Sequence, residues 1–185
     1  MSSYKNRRRT LRRLSVPLGA TVLALGIAAT TVTPAAASNS YNGRSHIYGV
    51  GTITDDLNDE GVVNVSTNAR SNVTCLWQTI LWADGYLPQS GVDGSFGPQT
   101  KAATQAWQRA RGLTADGSAG KLTWTKAGTK ISFHGASGGK AYGGYDGSKV
   151  NFMVRRTDTG GGNWEFASGS AKGGIKWASY NSVNC

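Results

Sequence analysis

The sequence Asp93-Gly94-Ser95-Phe96-Gly97-Pro98-Gln99-Thr100 returns 23 positions later as Asp116-Gly117-Ser118-Ala119-Gly120-Lys121-Leu122-Thr123, with five of the eight residues identical. Asp-Gly favours a turn, because Asp hydrogen-bonds to nearby backbone and Gly tolerates a positive φ angle. The second Gly precedes a polar segment, and Pro98 suits the first turn of a helix. The repeat therefore predicts a turn that leads into a helix, used twice.

Segments with helical periodicity lie before, between and after the two turns. Apolar residues recur at helical spacing in the first two segments: Val73, Trp77, Ile80 and Leu81, then Ala103, Ala106, Trp107 and Ala110. N-caps and glycine stops set the predicted helix bounds at Ser71 or Asn72 to Gly85, Pro98 to about Arg111 before Gly112, and about Lys121 to Ala127. The sequence therefore predicts a small three-helix bundle over residues 68–128.

Further motifs surround the repeat in a fixed order. They are Leu76-Trp77-Gln78, Gly85-Tyr86, Ala103, Trp107-Gln108, Gly112-Leu113 and Thr123-Trp124. In this order and spacing they resemble the peptidoglycan-binding domain 1 family, a three-helix module of bacterial wall proteins. The resemblance covers about a third of the chain and implies peptidoglycan as the ligand. The chain departs from the family pattern at Trp107, where Phe is usual, and at Thr104, where Val is usual.

The resemblance also implies a shallow ligand groove beside the loops at the start of the second helix. The residues that it nominates for ligand binding are Tyr86, Asp93, Gly94, Phe96, Gly97, Thr100 and Gln108. Two alternatives stay open at this point. Asp93 and Gly94 could simply form the turn while Phe96 fills the core, and Gln108 could either bind an amide of the stem peptide or cap a neighbouring backbone group.

The first 37 residues have the pattern of an export signal. Residues 1–13 carry six basic side chains and no acidic one, residues 16–30 are apolar, and Ala35-Ala36-Ala37 offers a small-residue cleavage site before Ser38. The apolar stretch is too short and too rich in Gly for a membrane-spanning helix. The pattern predicts a secreted or wall-associated mature chain, and Arg8-Arg9 leaves the general secretory and twin-arginine routes both open.

Removal of this segment changes the charge. The full chain has 20 basic and 10 acidic residues, and the part from Ser38 onwards has 14 and 10. Residues 38–67, 68–128 and 129–185 carry net charges of −3, +3 and +4. Because most of the positive excess lies in the predicted signal, nucleic acid is not an expected partner. A mildly positive surface would favour weak, salt-sensitive association with an anionic wall, or would simply be solvated.

Cys75 and Cys185 are the two cysteines of the chain. Cysteines of an exported protein usually pair, so we expect a disulfide between them. Cys75 and Trp82 also share the side of the first predicted helix that faces away from Trp77. This placement predicts a second packed surface on that helix, with the C-terminal segment as the candidate to cover it.

Residues 129–185 differ from the helical segment in composition and periodicity. They are rich in Gly and alternate with a period of two, at Val150, Phe152 and Val154, at Trp164 and Phe166, and at Ile175 and Trp177. Residues 158–163 would turn one strand into the next. The pattern predicts a small antiparallel β appendage packed on the helical bundle. Residues 38–67 are predicted to be a flexible segment with a short strand at 61–67 that could join this sheet, so the expected fold class is α+β.

Residues that could support catalysis form no convincing pattern. His46 and His134 are the two histidines, and a catalytic zinc usually takes three protein ligands. Asp55, Asp56, Asp59 and Glu60 form a cluster that we interpret as solvated rather than as the positioned carboxylates of a glycosidase. The sequence therefore predicts no catalytic residue, metal or cofactor.

These observations together predict an exported, non-catalytic peptidoglycan-binding protein. Two alternatives remain open. One is a hydrolase of the wall whose catalytic part lies in the unrecognised tail, and the other is a secreted structural or partner-binding protein.

Overall fold

Three α-helices form the helical unit in the computed structural model, which describes residues 44–185, and the second and third each follow an Asp-Gly turn. They are α1 (Asn72–Ala83), α2 (Pro98–Arg109) and α3 (Lys121–Gly128). Ser71 caps α1 by accepting a hydrogen bond from the Thr74 backbone N–H at 3.0 Å. Gly85 and Gly112, which follow α1 and α2, have φ angles of +83° and +69° that other residues rarely adopt. The helix bounds predicted from caps and stops are confirmed to within two residues.

Three tryptophans fill the centre of the helical unit. The Trp77 ring meets Trp107 and Trp124 edge to face, with centroids 5.2 Å and 5.3 Å apart, and all three side chains are fully buried. Aromatic pairs in this arrangement add about 0.5–1.5 kcal/mol each beyond the area that they bury. The predicted core positions of Trp77 and Trp107 are confirmed.

The buried stripe of α2 is more polar than the sequence predicted. Ala106 is half-buried and Ala110 is exposed, whereas Thr104 is fully buried. The Thr104 hydroxyl accepts a hydrogen bond from Trp77 Nε1 at 2.8 Å and donates one to the Thr100 carbonyl at 2.8 Å. The hydroxyl at an expected apolar position is thus the partner that a buried indole N–H requires.

A six-stranded antiparallel sheet completes the α+β fold. Its strands are β1 (Tyr48–Val50), β2 (Ile131–Ser137), β3 (Lys140–Tyr145), β4 (Phe152–Arg156), β5 (Gly161–Ala167) and β6 (Ile175–Trp177). The strand order is β1-β5-β4-β3-β2, and β6 also pairs with β5. Strand β1 pairs with residues 161–163 and β6 with residues 165–167, so the two short strands lie end to end along one edge of β5. The chain does reverse between the antiparallel strands β4 and β5, but residues 161–163 of the predicted turn already belong to β5.

The predicted strand at residues 61–67 is wrong. Val63 forms only an isolated bridge with Ala119, and the strand that joins the sheet is β1. The extended chain breaks because the Asn64 side chain accepts hydrogen bonds from the Ser66 and Thr67 backbone N–H groups, both at 2.8 Å.

The predicted flexibility of residues 38–67 also fails for the part that the structure describes. Ile47, Ile53 and Leu57 belong to the main hydrophobic core and are at most 1% exposed. Residues 44–185 all lie within one compact unit, and none of their helices is long and apolar enough to cross a membrane. The predicted export segment and its cleavage site lie outside the described residues.

The C-terminal segment packs on the side of α1 that carries Cys75 and Trp82. Cys75 and Cys185 form a disulfide that links positions 110 residues apart, as predicted. A Cβ atom added to Gly169 would come within 2.4 Å of the Trp82 ring, so the backbone before the tail lies directly against that indole. The second packed surface predicted on α1 is therefore present.

Candidate functional site

A buried glutamine holds the first Asp-Gly turn in place. The Gln78 Nε2 atom lies within hydrogen-bonding distance of Asp93 Oδ1 (2.9 Å), the Ser95 carbonyl (3.0 Å) and Thr100 Oγ1 (3.0 Å). Its Oε1 atom accepts from the Gly94 backbone N–H at 2.7 Å. Helix α1 thus fixes the turn that begins α2.

The second turn repeats this arrangement. Gln108 Nε2 lies 2.8 Å from Asp116 Oδ1, 3.0 Å from the Ser118 carbonyl and 3.1 Å from Thr123 Oγ1, while its Oε1 accepts from the Gly117 N–H at 2.9 Å. The Asp, Gly, Ser and Thr that are identical in the two copies therefore bond to the same kind of side chain. This shared clamp gives a structural reason for the duplicated motif.

Four of the nominated ligand residues lie inside the fold. Gln108 is 1% exposed, and both its amide nitrogen and its amide oxygen are hydrogen-bonded within the fold. Its contacts are therefore those of the capping alternative, not those of a residue that binds the stem peptide. Phe96 and Thr100 are 4% and 3% exposed, and Gly94 is buried. A recurring Trp-Gln pair, at 77–78 and 107–108, was a sequence signal for this structural role.

Three nominated residues keep some access to solvent. Tyr86 is half-buried beneath the Arg111 guanidinium, which lies 5.4 Å from its ring centroid. Asp93 is exposed, although its Oδ1 accepts from the Ser95 N–H at 2.8 Å. Gly97, the N-cap of α2, has no atom within 4 Å of the position that a Cβ would occupy. The accessible part of the predicted groove thus lies at Tyr86, Asp93 and Gly97.

The C-terminal tail covers one side of the first turn, which the sequence did not reveal. A Cβ on Gly94 would lie 2.6 Å from Val183 Cγ2 and 3.1 Å from Cys185 Cβ. The tail also provides a hydrogen-bond acceptor at the start of α1, because the Asn72 backbone N–H donates to the Ser182 carbonyl at 2.7 Å. This side of the first turn is therefore filled by the chain itself.

Asp84 is an unpredicted buried carboxylate that joins the helices to the sheet. Its Oδ2 accepts hydrogen bonds from Trp107 Nε1 (2.8 Å), Arg111 (2.6 Å) and the Tyr145 hydroxyl (2.8 Å), and its Oδ1 accepts from Lys130. Burial alone would raise the pKa of Asp84, but the hydrogen bonds led by Lys130 outweigh it and lower the pKa. The carboxylate is ionised and serves as a structural anchor.

The predicted solvated acidic cluster is half wrong. Asp55 and Asp59 are exposed, but Asp56 is 4% and Glu60 2% exposed. Asp56 accepts two hydrogen bonds from the buried Arg156, at 3.0 Å and 3.1 Å. Asp56 and Glu60 therefore lie inside the fold, because side chains from the distant C-terminal half of the chain donate hydrogen bonds to them.

Burial also shifts the pKa of Glu60. It raises the pKa of this carboxyl to about 7, although hydrogen bonds from the Tyr180 hydroxyl (2.6 Å) and the Tyr48 N–H (3.3 Å) oppose the shift. The exposed acids of the cluster, Asp55 and Asp59, line an open cleft of about 440 Å³ together with Arg44 and Tyr48.

Within residues 44–185, no three His, Cys, Asp or Glu side chains group so that they could hold a metal ion. The two histidines have different neighbours. His134 Nε2 lies 2.9 Å from the Ser132 hydroxyl at the surface, and the His46 ring meets Trp177 edge to face at 5.7 Å.

Comparison with known proteins agrees with the helical part of this description. Residues 72–126 match the family model of a putative peptidoglycan binding domain, which confirms the resemblance seen in the sequence. A zinc D-Ala-D-Ala carboxypeptidase of Streptomyces albus G is 58% identical over 38 residues, 20% of this chain and 15% of the relative. An uncharacterized protein in the bpoA1 3′ region of Kitasatospora aureofaciens is 57% identical over 35 residues, 19% of this chain and 30% of the relative.

The matched stretches thus span less than a third of either relative. No solved structure matches the chain significantly.

Proposed function

We propose that this protein is an exported, non-catalytic peptidoglycan-binding protein that is secreted and held at the cell wall. The observation that carries the proposal is the match of residues 72–126 to the putative peptidoglycan binding domain. The clamps formed by Gln78 and Gln108 support it, because they keep both turns of the module in a fixed shape. The net charge of +4 from Ser38 onwards favours approach to an anionic wall.

The proposed contact on the helical module is its accessible edge at Tyr86, Asp93 and Gly97. Gly97 adopts an ordinary extended φ of −95°, and nothing lies near its missing side chain, so packing does not demand glycine there. A ligand can therefore approach the backbone at the start of α2.

Co-sedimentation with insoluble peptidoglycan tests this function. We expect the purified, disulfide-bonded protein to pellet with the wall at moderate salt and to stay in solution without it. Gly97→Phe should weaken pelleting, since a ring would fill the open approach. Gly112→Asn is the matched control, because Gly112 also has free space around it but lies past the end of α2. A folded protein that stays in the supernatant with several wall types would favour the structural or partner-binding alternative.

The same suspensions test the hydrolase alternative, to which the name of the Streptomyces relative draws attention. We expect no loss of turbidity and no release of amino groups or reducing ends, with or without added zinc. If the wild type releases amino groups or reducing ends above the buffer level and His134→Ala does not, the non-catalytic part of the proposal is overturned.

A further inference from the structure

Four side chains form a row across one face of the sheet. Tyr142 of β3 pairs with Arg155 of β4, Arg155 pairs with Glu165 of β5, and Glu165 pairs with Trp177 of β6. Directly paired residues of antiparallel strands point to the same face of the sheet. Neighbouring strands lie about 4.8 Å apart, so this outer-face row spans roughly 14 Å.

The outer-face row points away from the core. Val154 precedes Arg155, Phe166 follows Glu165, and both apolar side chains are fully buried. Because successive residues of a strand point to opposite faces, the row lies on the face away from this core. Trp177 is 44% exposed, whereas Glu165 is only 7% exposed. The indole therefore stands beside a recessed carboxylate.

The two charged members of the row hold each other and keep spare bonding capacity. Arg155 Nε donates to Glu165 Oε2, and this ion pair fixes both side chains. Within residues 44–185, no other group bonds to the Glu165 Oε1 atom or to the terminal nitrogens of Arg155. A guanidinium has five N–H donors and a carboxylate about four acceptor positions. The row thus offers oriented donors and an acceptor that the other described residues leave unused.

We propose that the outer-face row is a saccharide subsite and that it binds the glycan strand of peptidoglycan. A pyranose ring presents C–H groups on its face and hydroxyl and acetamido groups at its edge. The face can pack on the Trp177 indole, which is apolar and half exposed, while the edge groups bond to Arg155 and Glu165. Tyr142 closes the opposite end of the row. The inference rests on the proposed function, which supplies the wall polymer as the ligand.

The alternatives to a saccharide fit the face less well. A stable protein interface buries about 800 Å² on each partner with a hydrophobic centre. The large apolar side chains exposed on this face, among the described residues, are Val50, Ile175 and Trp177, and Val50 lies apart from the other two, opposite Gly161 at the start of β5. A narrow row of an aromatic ring and unpaired polar atoms suits a polymer of hydroxylated rings. The net charge of +4 over residues 129–185 also complements an anionic wall.

Separate ligands distinguish this subsite from the helical module. The probes are intact peptidoglycan, glycan strands from which the stem peptides have been removed, and soluble N-acetylglucosamine oligomers. We expect the purified protein to bind all three. Trp177→Ala and Glu165→Gln should each weaken binding of stripped strands and oligomers about tenfold, which corresponds to about 1.4 kcal/mol. Phe133→Ala is the matched control, because Phe133 is 56% exposed but lies on β2 outside the row.

The outcomes separate the two proposals. Binding of intact wall without binding of stripped strands or oligomers would overturn the subsite and leave the proposed function standing. Binding of oligomers that is lost in Trp177→Ala, without binding of intact wall, would support the subsite and contradict wall binding. Stripped strands that bind equally well to wild type, Trp177→Ala and Glu165→Gln, each with a wild-type unfolding midpoint, would also overturn the subsite. Failure to bind any probe would overturn both proposals.

Discussion

At the scale of single residues, buried polar side chains stabilise this protein by hydrogen-bonding to groups that are buried with them. Gln78 and Gln108 each satisfy several groups of a turn that would otherwise lack partners. Thr104 does the same for the Trp77 indole. Because an unpaired polar group in a protein interior costs about 1–3 kcal/mol, such residues resist substitution even though they are hydrophilic.

Gln108→Ala should therefore destabilise the protein rather than affect only a ligand. The substitution leaves the Gly117 N–H and the acceptors around it without their partner, and we expect a loss of about 1–3 kcal/mol in the free energy of unfolding. Urea titration followed by tryptophan fluorescence measures it. Gln99→Ala, an exposed glutamine on the same helix, should change little. Equal stability of the two variants would contradict the clamp.

Glu60 should make the protein less stable as the pH rises. Its pKa of about 7 lies above the ordinary value of 4.5, so the folded state binds a proton more tightly than the unfolded state. Stability contributed by the protonated form is therefore lost between about pH 4.5 and 7, by at most roughly 3 kcal/mol. Unfolding midpoints at pH 5 and pH 8 should differ less in Glu60→Gln than in the wild type.

A neighbouring exposed acid provides the control for this pH dependence. Asp55→Asn changes a carboxylate of the same cluster that the solvent reaches, and we expect it to keep the wild-type difference between pH 5 and pH 8. A Glu60→Gln variant with the same difference as the wild type would show that the carboxyl is ionised without penalty in the folded protein.

At the scale of elements, the helices were predictable because their signals are local. Ser71, Pro98 and the glycines after α1 and α2 act within one turn of the chain, and the apolar spacing agrees with them. Strand β1 was missed because its pairing partner lies more than 100 residues away, at residues 161–163. Residues 61–67 contain a similar apolar run, but there the Asn64 turn interrupts the extended chain.

The candidate site was harder to predict than the fold. A motif names residues that recur, but recurrence alone does not separate a ligand contact from a structural clamp. Gln108 and Thr100 recur because they hold the turn. The outer-face row could not be predicted from sequence, since its four members come together only through the registers of β3 to β6.

The disulfide ties the C-terminal tail to helix α1, and its loss should destabilise the whole protein. Closing a loop of 110 residues removes unfolded-state entropy worth roughly 4–5 kcal/mol in the chain-entropy model. We expect Cys185→Ser to lower the free energy of unfolding by up to this amount and to release one thiol. Intact mass after alkylation without reduction checks the bond in the purified protein. Two freely alkylated cysteines would contradict it.

At the scale of the whole molecule, the helical unit and the sheet share buried contacts that neither can supply alone. Asp84 of the helical unit accepts from Lys130 and from Tyr145 of β3. The Trp124 indole of α3 donates to the carbonyl of Gly61, which precedes the family module, at 2.9 Å in the core. The sequence resemblance marks a family module, but the polar network crosses the limits of that module.

Residues 68–128 expressed alone should consequently be much less stable than residues 44–185. The excised module loses the Lys130 and Tyr145 partners of Asp84, the Gly61 partner of Trp124, and the Cys185 partner of Cys75. A bundle of about 60 residues buries only about 60% of its unfolded surface, so it has little reserve against these losses. Thermal unfolding of both fragments measures the difference, and Asp84→Asn in the longer fragment isolates the share of the carboxylate. An excised module with the same unfolding midpoint as residues 44–185 would show that the network adds nothing to the stability of the bundle.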